Sequence, residues 1–449
     1  MSNPDRNISR RVFLASLGCA KNQVDSEQML ALLRRAGWRV TRDPEEAAVI
    51  VVNTCSFIES AADESIDAIL ELARMKEEGA CRRLVVTGCL PQRYRQAITE
   101  ALPEVDVFVG TGGIDVIVDA VAGTLPAGCY LPDPARAATA GPLERVLEEG
   151  PTAYLKIAEG CDRRCTYCII PRLRGRQQDR SVEELMAEAR MLIAAGKKEL
   201  VLVAQETTAY GRRQAGAAGL DTLLGELAAL DRGVWIRLMY GHPASLTAEV
   251  IEAMARWDNI CRYLDIPVQH ASDRVLKAMG RAYDADHLRR LFTDIRDRLP
   301  GVSLRTTLLT GFPGETEDDF QRLLDFVKEI RFDHLGVFMY SDSDDLAAHA
   351  LPAHVPVEVA EERRERLMEL QLGISAQRMR RYVEKTIDVL LETPLEEGLY
   401  QGRGAHQAPE VDGMTIVKVA PGKKGLKSGS FVPVRITEAL DYDLMGVVV

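Results

Sequence analysis

Three short apolar runs near the start of the chain each stop at a cysteine: VFLASLG before Cys19, AVIVVNT before Cys55 and RLVVTG before Cys89. This repetition constrains the fold more than any other feature. Each run has the length and composition of a strand buried on both faces. The segments between them, such as SAADESIDAILELARMKEEG, read as helices long enough for crossovers. With a fourth run, VDVFVG, the chain from Arg11 to about Ala122 reads as a parallel sheet with covering helices. The carboxyl ends of such strands share one edge, where open α/β folds place their ligands. Thiols 36 and 34 residues apart can therefore meet there.

The first run has a second reading. In SRRVFLASLGC, a twin arginine, an apolar run and a cysteine also spell an export signal with a lipid-attachment site. The apolar run from Val12 to Gly18 is only seven residues, the bottom of the range for such a signal. The residues after it lead without a linker into DSEQMLALLRRAG, which reads as an amphipathic helix. The buried-strand reading is preferred, and a cytoplasmic protein is expected.

At 449 residues the chain has room for two or three domains. A net charge of −11 argues against broad nonspecific nucleic-acid binding. It suits a basic macromolecular partner, or simply solubility. No stretch reaches the roughly 18 apolar residues of a membrane span, so no membrane partner is expected. The segment from Ala127 to Glu149, rich in Pro, Ala and charge, reads as a linker. A second alternating series follows, with strands at AYLKIAE, ELVLVAQE, VWIRLMYG, YLDIPVQ, SLRTTLLTG and HLGVFMYS. Six βα units suggest a complete or partial barrel, with its site at the strands' carboxyl ends. A charged helix from roughly Val359 to Lys385 leads to short strands, IDVLLE, TIVKV, FVPVRITEA and LMGVVV, separated by glycine-rich turns. These read as a small OB-type β-barrel.

Nine cysteines, an odd number in a long chain, do not read as a disulfide scaffold. Cys81, Cys129 and Cys261 sit singly and read as buried structural thiols. For Cys19, Cys55 and Cys89 the residues alone leave alternatives open. They can be small buried residues at strand ends, or ligands. Zinc would need a fourth ligand, and the first histidine of the chain is His242. EGCDRRCTYCIIPRLRGR is more specific: it places Cys161, Cys165 and Cys168 in C-x-x-x-C-x-x-C spacing just past the first barrel strand. Three thiolates hold three irons of a 4Fe–4S cluster. The fourth iron stays open to the amino and carboxylate groups of S-adenosylmethionine, whose sulfonium bond an electron can then break. Tyr167 can pack near the adenine. Arg163, Arg164, Arg172, Arg174 and Arg176 can offset thiolate charge, hold an acidic substrate, or simply be solvated.

LGCAKNQVDSE, NTCSFIESA, TGCLPQRY and EGCDRRCTYCIIPRLRGRQQDRS resemble the methylthiotransferase family of radical S-adenosylmethionine enzymes, in order and over nearly the whole chain. The resemblance implies an α/β fold of three parts. These are an N-terminal parallel-sheet α/β domain (1–126), a central partial (β/α)6 radical-SAM barrel (150–378) after a linker (127–149), and a C-terminal small all-β OB-like TRAM barrel (379–449). It also implies two 4Fe–4S clusters: an auxiliary one on Cys19, Cys55 and Cys89, and the radical one on Cys161, Cys165 and Cys168. SLGCAKNQVDSE, VAQETTAYG, DIPVQHASDRVLKAMGR and APEVDG, with DYDLMG near the end, are similar to the RimO-type branch, which modifies an aspartate of ribosomal protein twelve of the small subunit. The other branch modifies an adenosine of tRNA.

Charge bears on that choice. From Met379 to Val449 there are nine Lys or Arg and ten Asp or Glu. A domain gripping tRNA phosphates is expected to be clearly basic, whereas a near-neutral one suits a basic ribosomal protein. Lys423, Lys424 and Lys427 are the counter-evidence. The resemblance implies a methylthio group placed on the substrate's β-carbon, with an electron donor and a sulfur source as further partners. Candidate S-adenosylmethionine contacts at barrel strand ends are Gln205, Thr207, Gln269, Arg281 and Glu315, and the TGFPGET run can shape a backbone edge. Two alternatives remain: the same chemistry on tRNA, or a non-enzymatic iron–sulfur or RNA-binding protein.

Overall fold

The computed structural model describes residues 10–138, 144–213, 216–419 and 426–449. Lys423 and Lys424 lie outside the described residues.

The first sheet contains β1 (Arg11–Ser16), β2 (Arg39–Val40), β3 (Val49–Thr54), β4 (Arg83–Gly88), β5 (Val107–Gly110) and β6 (Gly128–Tyr130), in the order β2-β1-β3-β4-β5-β6, all parallel. Alternation along the strands splits the core between two faces. Ile50, Val52, Leu84 and Val86 pack on one side with Ala62 and Ile69 of the helix Glu59–Ala73. Val49, Val51, Val85 and Val107 pack on the other with Met29 and Leu33 of α1 (Ala20–Arg35). Two findings differ from the sequence reading. The stretch expected as a linker supplies β6, which extends the sheet beyond β5. The helix expected to be amphipathic buries Asn22, Asp25, Ser26, Glu27 and Gln28, because it lies between the sheet and the next domain and has little solvent face.

The central domain is an arc of six parallel strands. β7 (Thr152–Lys156), β10 (Glu199–Val203) and β11 (Trp235–Leu238) form one half; β12 (Tyr263–Asp265), β13 (Ser303–Thr310) and β14 (His334–Met339) form the other. A single parallel bridge, Ile236–Ile260, joins the halves. Between β7 and β10 a short antiparallel pair, β8 (Ala158–Glu159) and β9 (Gln178–Asp179), closes the base of the loop that carries Cys161, Cys165 and Cys168. Helices on the outside, two of them started by capping boxes at Ser181 and Thr316, cover the arc.

The long helix Val357–Met379 leads into a closed five-stranded barrel. Its strands are β15 (Thr386–Glu396), β16 (Leu399–Gly404), β17 (Thr415–Lys418), β18 (Phe431–Ala439) and β19 (Leu444–Val448). β16 was not anticipated: LYQGRG has two glycines and no apolar alternation. This barrel docks on the arc through a buried charged contact. Glu199 of β10 accepts from Arg237 of β11 (2.7 Å) and from Arg403 of β16.

Candidate active site: two thiol trios at one domain junction

Strand register assembles the first trio. Ser16 pairs with Asn53, Asn53 with Thr87 and Thr54 with Gly88, so the three chains leave the sheet side by side. Cys19 then caps α1, Cys55 follows β3 directly, and Cys89 opens a short helix. Gly18 takes a left-handed φ of +88°, and a Cβ there would lie 2.5 Å from Cys55 Cβ; only glycine lets the first loop lie on the second. Asparagines fasten the loops. Asn22 Nδ2 donates to the carbonyls of Leu17 and Thr54, both at 2.9 Å, and Asn53 Nδ2 donates to Asn22 O (3.0 Å) and Ser26 Oγ (2.9 Å).

Cations converge on this trio. Arg174 Nη2 donates to Cys89 Sγ at 3.7 Å. Lys21, buried beside Cys19, lies over the Tyr240 ring, 3.7 Å from its centroid. Burial pushes the Cys19 thiol up, but Lys21 and Arg174 outweigh it and hold the thiol below its ordinary range. Burial dominates at Cys89, pushed up to about 12, and raises Cys55 as well.

The second trio lies on the loop closed by β8 and β9. Gly160, at φ +82°, lets the strand approach the Arg176 carbonyl, which a Cβ would meet at 2.4 Å. Cys161 N donates to Gly175 O (3.1 Å) and Cys168 N to Cys165 O (3.1 Å). Burial pushes the Cys161 and Cys168 thiols up to about 11 and about 12. Among the described residues no three His, Cys, Asp or Glu side chains converge as they would on a single metal ion. A cubane takes one thiolate at each of three irons, so its ligands surround a body rather than meet at a point. Two groups of three thiols, each with cations nearby, fit that chemistry.

The two trios adjoin one wall. The helix Ile170–Arg174 follows Cys168, and Ile169 and Leu173 pack on Cys89. Arg174, at its end, is buried and donates to Asp25 Oδ2 of α1 (2.7 Å), Glu159 Oε1 (3.4 Å) and Asn22 Oδ1. Lys156 bridges the same Asp25 and Glu159.

Of the expected cofactor contacts, Tyr167 and Arg281 lie together beside the second trio, the guanidinium 5.7 Å from the ring centroid; Phe312 meets Tyr167 edge-on at 6.5 Å. Gln205 donates to Glu159 (2.6 Å), and its Oε1 has no hydrogen-bond partner among the described residues. Gln269 takes a φ of +69° and bridges to β13 through its backbone. Thr207 and Glu315 both make contacts within the chain. The Thr207 hydroxyl donates to the Met239 and Tyr240 carbonyls. Glu315 Oε2 accepts from Gly311 N (2.6 Å) and Phe312 N (3.2 Å). Both lie past the carboxyl ends of strands, and Glu315 Oε1, 3.3 Å from Arg363, is buried with no hydrogen-bond partner among the described residues.

The arginines divide. Arg164, Arg172 and Arg176 are exposed, whereas Arg163 forks onto Glu206 through two 2.7 Å contacts. That pair borders a cavity of about 290 Å³ at the arc's mouth, with Gln177, Arg212 and Ser245. The sequence reading missed Asn22, Asp25, Lys156, Glu159 and His242. Lys156 did carry a signal, a lysine inside an otherwise apolar strand. His242 follows β11, and its buried Nε2 has no partner among the described residues.

An arc of parallel strands with three spaced thiols on its first mouth loop defines a radical S-adenosylmethionine enzyme. Family models agree: the Radical SAM superfamily matches residues 155–327, Uncharacterized protein family UPF0004 residues 11–110, and the TRAM domain residues 383–449. Solved structures share the fold. The radical S-adenosylmethionine methyltransferase TsrM from Kitasatospora setae superposes with a TM-score of 0.57 at 17% identity, over 74% of each chain. The cobalamin-dependent enzyme OxsB gives 0.54 at 13%, over 82% of this chain and 57% of that one.

Curated relatives are much nearer in sequence. The ribosomal protein uS12 methylthiotransferase RimO of Desulfosudis oleivorans is 50% identical over 97% of this chain and 99% of its own. Its namesake from Geobacter sulfurreducens is 44% identical over 99% of each. The chain belongs to this methylthiotransferase family.

Proposed function

We propose that this enzyme attaches a methylthio group to the β-carbon of an aspartate in ribosomal protein uS12. Cys161, Cys165 and Cys168 would hold the cluster that binds S-adenosylmethionine, and Cys19, Cys55 and Cys89 a second cluster. The observation that carries the reading is the shared wall: Ile169, next to Cys168, shares a buried cluster with Cys89 of the other trio, and Arg174, at the end of the helix that follows, donates to the Cys89 sulfur. Substrate carbon and transferred sulfur must meet in one space, and two sites on one wall allow it.

When bound, S-adenosylmethionine and its cluster supply one-electron chemistry able to remove hydrogen from a carbon that acid–base groups leave untouched at neutral pH. The chain's own residues position and shield. Tyr167, Phe312 and Arg281 wall the second trio. Glu315 stiffens the Gly311–Phe312 turn by accepting from both of its amides. Glu206 fixes and neutralises Arg163 at the mouth cavity, and Arg212 on the same wall offers positive charge to an acidic side chain entering there. The negative net charge of the chain suits a basic ribosomal protein. The test is mass spectrometry of ribosomal proteins and tRNA nucleosides from a deletion strain. The expected result is loss of the methylthio mass on uS12 with tRNA unchanged. An unmodified tRNA adenosine beside intact uS12 would overturn the reading.

A further inference from the structure

Arg174 reaches a sulfur of the first trio from the helix that follows the second, across a domain boundary. A guanidinium keeps its charge throughout the working pH range, and here it is buried. Its anchors are buried as well: Asp25 and Asn22 on one domain, Glu159 on the other. Asp25 and Glu159 do not cancel its charge, because Lys156 shares both carboxylates. With Lys21 beside Cys19, three cations face two carboxylates around the trio. The potential of an iron–sulfur cluster depends on hydrogen bonds to its sulfurs, on local charge and on exposure to water. Arg174 acts on all three.

We propose that Arg174 is a positioning residue whose hydrogen bond and buried charge set how readily a cluster on Cys19, Cys55 and Cys89 accepts an electron. The inference rests on the reading that these thiols hold a cluster. The test is an EPR-monitored redox titration of the full chain with Cys161, Cys165 and Cys168 changed to Ala, so that one cluster alone gives the signal. R174Q shifts the midpoint to a more negative potential. R174K keeps the charge without the fork and shifts it less. D25N removes an anion beside Arg174 and shifts it the opposite way, to a less negative potential. A purely structural tie between domains would alter melting without this opposed pair of shifts. Iron and sulfide are counted first: a parent variant that binds neither overturns the cluster reading itself. A midpoint unmoved in every variant that loads, or moved in one direction by both R174Q and D25N, overturns the role of Arg174. If R174Q loads no iron, R174K and D25N decide.

Discussion

The side-chain amide of Asn22 donates to the carbonyls of Leu17 and Thr54, and its oxygen accepts from Arg174. One small residue thus ties two cysteine loops to a third element. N22A leaves two carbonyls and a guanidinium short of partners, at a cost of about 1–3 kcal/mol for each unpaired group. Thermal melting is expected to show the loss, and bound iron to fall toward one cluster's worth. An unchanged iron count would show that the loops hold without it. Under the proposed assignment the cysteines divide by function. C161A/C165A/C168A is expected to abolish 5′-deoxyadenosine release under anaerobic reduction. C19A/C55A/C89A is expected to keep release and lose methylthio transfer, with about four irons per chain instead of about eight. Release that survives the first set of changes sinks the assignment. The two cysteine groups were legible as groups because one recurs at strand ends and the other sits in a short, regular spacing. Asp25, Lys156 and Glu159 were not, because partners 131 and 149 residues from Asp25 meet only in the folded chain. Thr207 and Glu315 show how little a strand-end position says about a side chain's partners: nothing in the sequence signals that they bond to the Met239 carbonyl and the Gly311 amide.

At the scale of elements, the strands that read clearly are those buried on both faces, β3 and β4 above all. β2 and β6 are sheet edges of two and three residues, too short to carry a pattern. β16 hides behind its glycines, yet it carries Arg403, one of the residues that dock one domain on another. Burial raises the Glu199 carboxyl, but Arg403 and Arg237 outweigh it and hold it at about 2, below its usual 4.5. A carboxylate depressed by folding stabilises the native state above its unfolded pKa, and that stability is lost as pH falls toward the folded value. Urea unfolding is therefore expected to show stability declining between pH 4.5 and about 2. E199Q, destabilised at neutral pH because Arg237 loses its carboxylate and Arg403 keeps only that of Glu392, is expected to show a shallower decline. Equal slopes in the two proteins would remove Glu199 from the acid transition.

The whole molecule joins its first sheet to the arc along a seam that is largely polar. Arg93 forks onto Asp345 (2.9 Å twice), Arg145 lies between Glu27 and Glu188 (3.3 Å each), and Asp25 takes Lys156 and Arg174. The apolar part is small, chiefly Ala20 and Val24 against Val201, Val203 and Met239. The sheet's own core, by contrast, is complete on both faces. A fragment of residues 10–138 is expected to be soluble and to melt cooperatively; a precipitate or a featureless melt would contradict this. The arrangement also bears on how the chain is born. At about 5–20 residues per second, residues 10–138 are joined before Lys156 and Arg174 are added to the chain. Because Asp25 and Glu27 are content in water, the newborn sheet shows its surroundings only a small sticky flank, chiefly Ala20 and Val24, and can wait, largely hydrated, for the rest of the polypeptide to arrive.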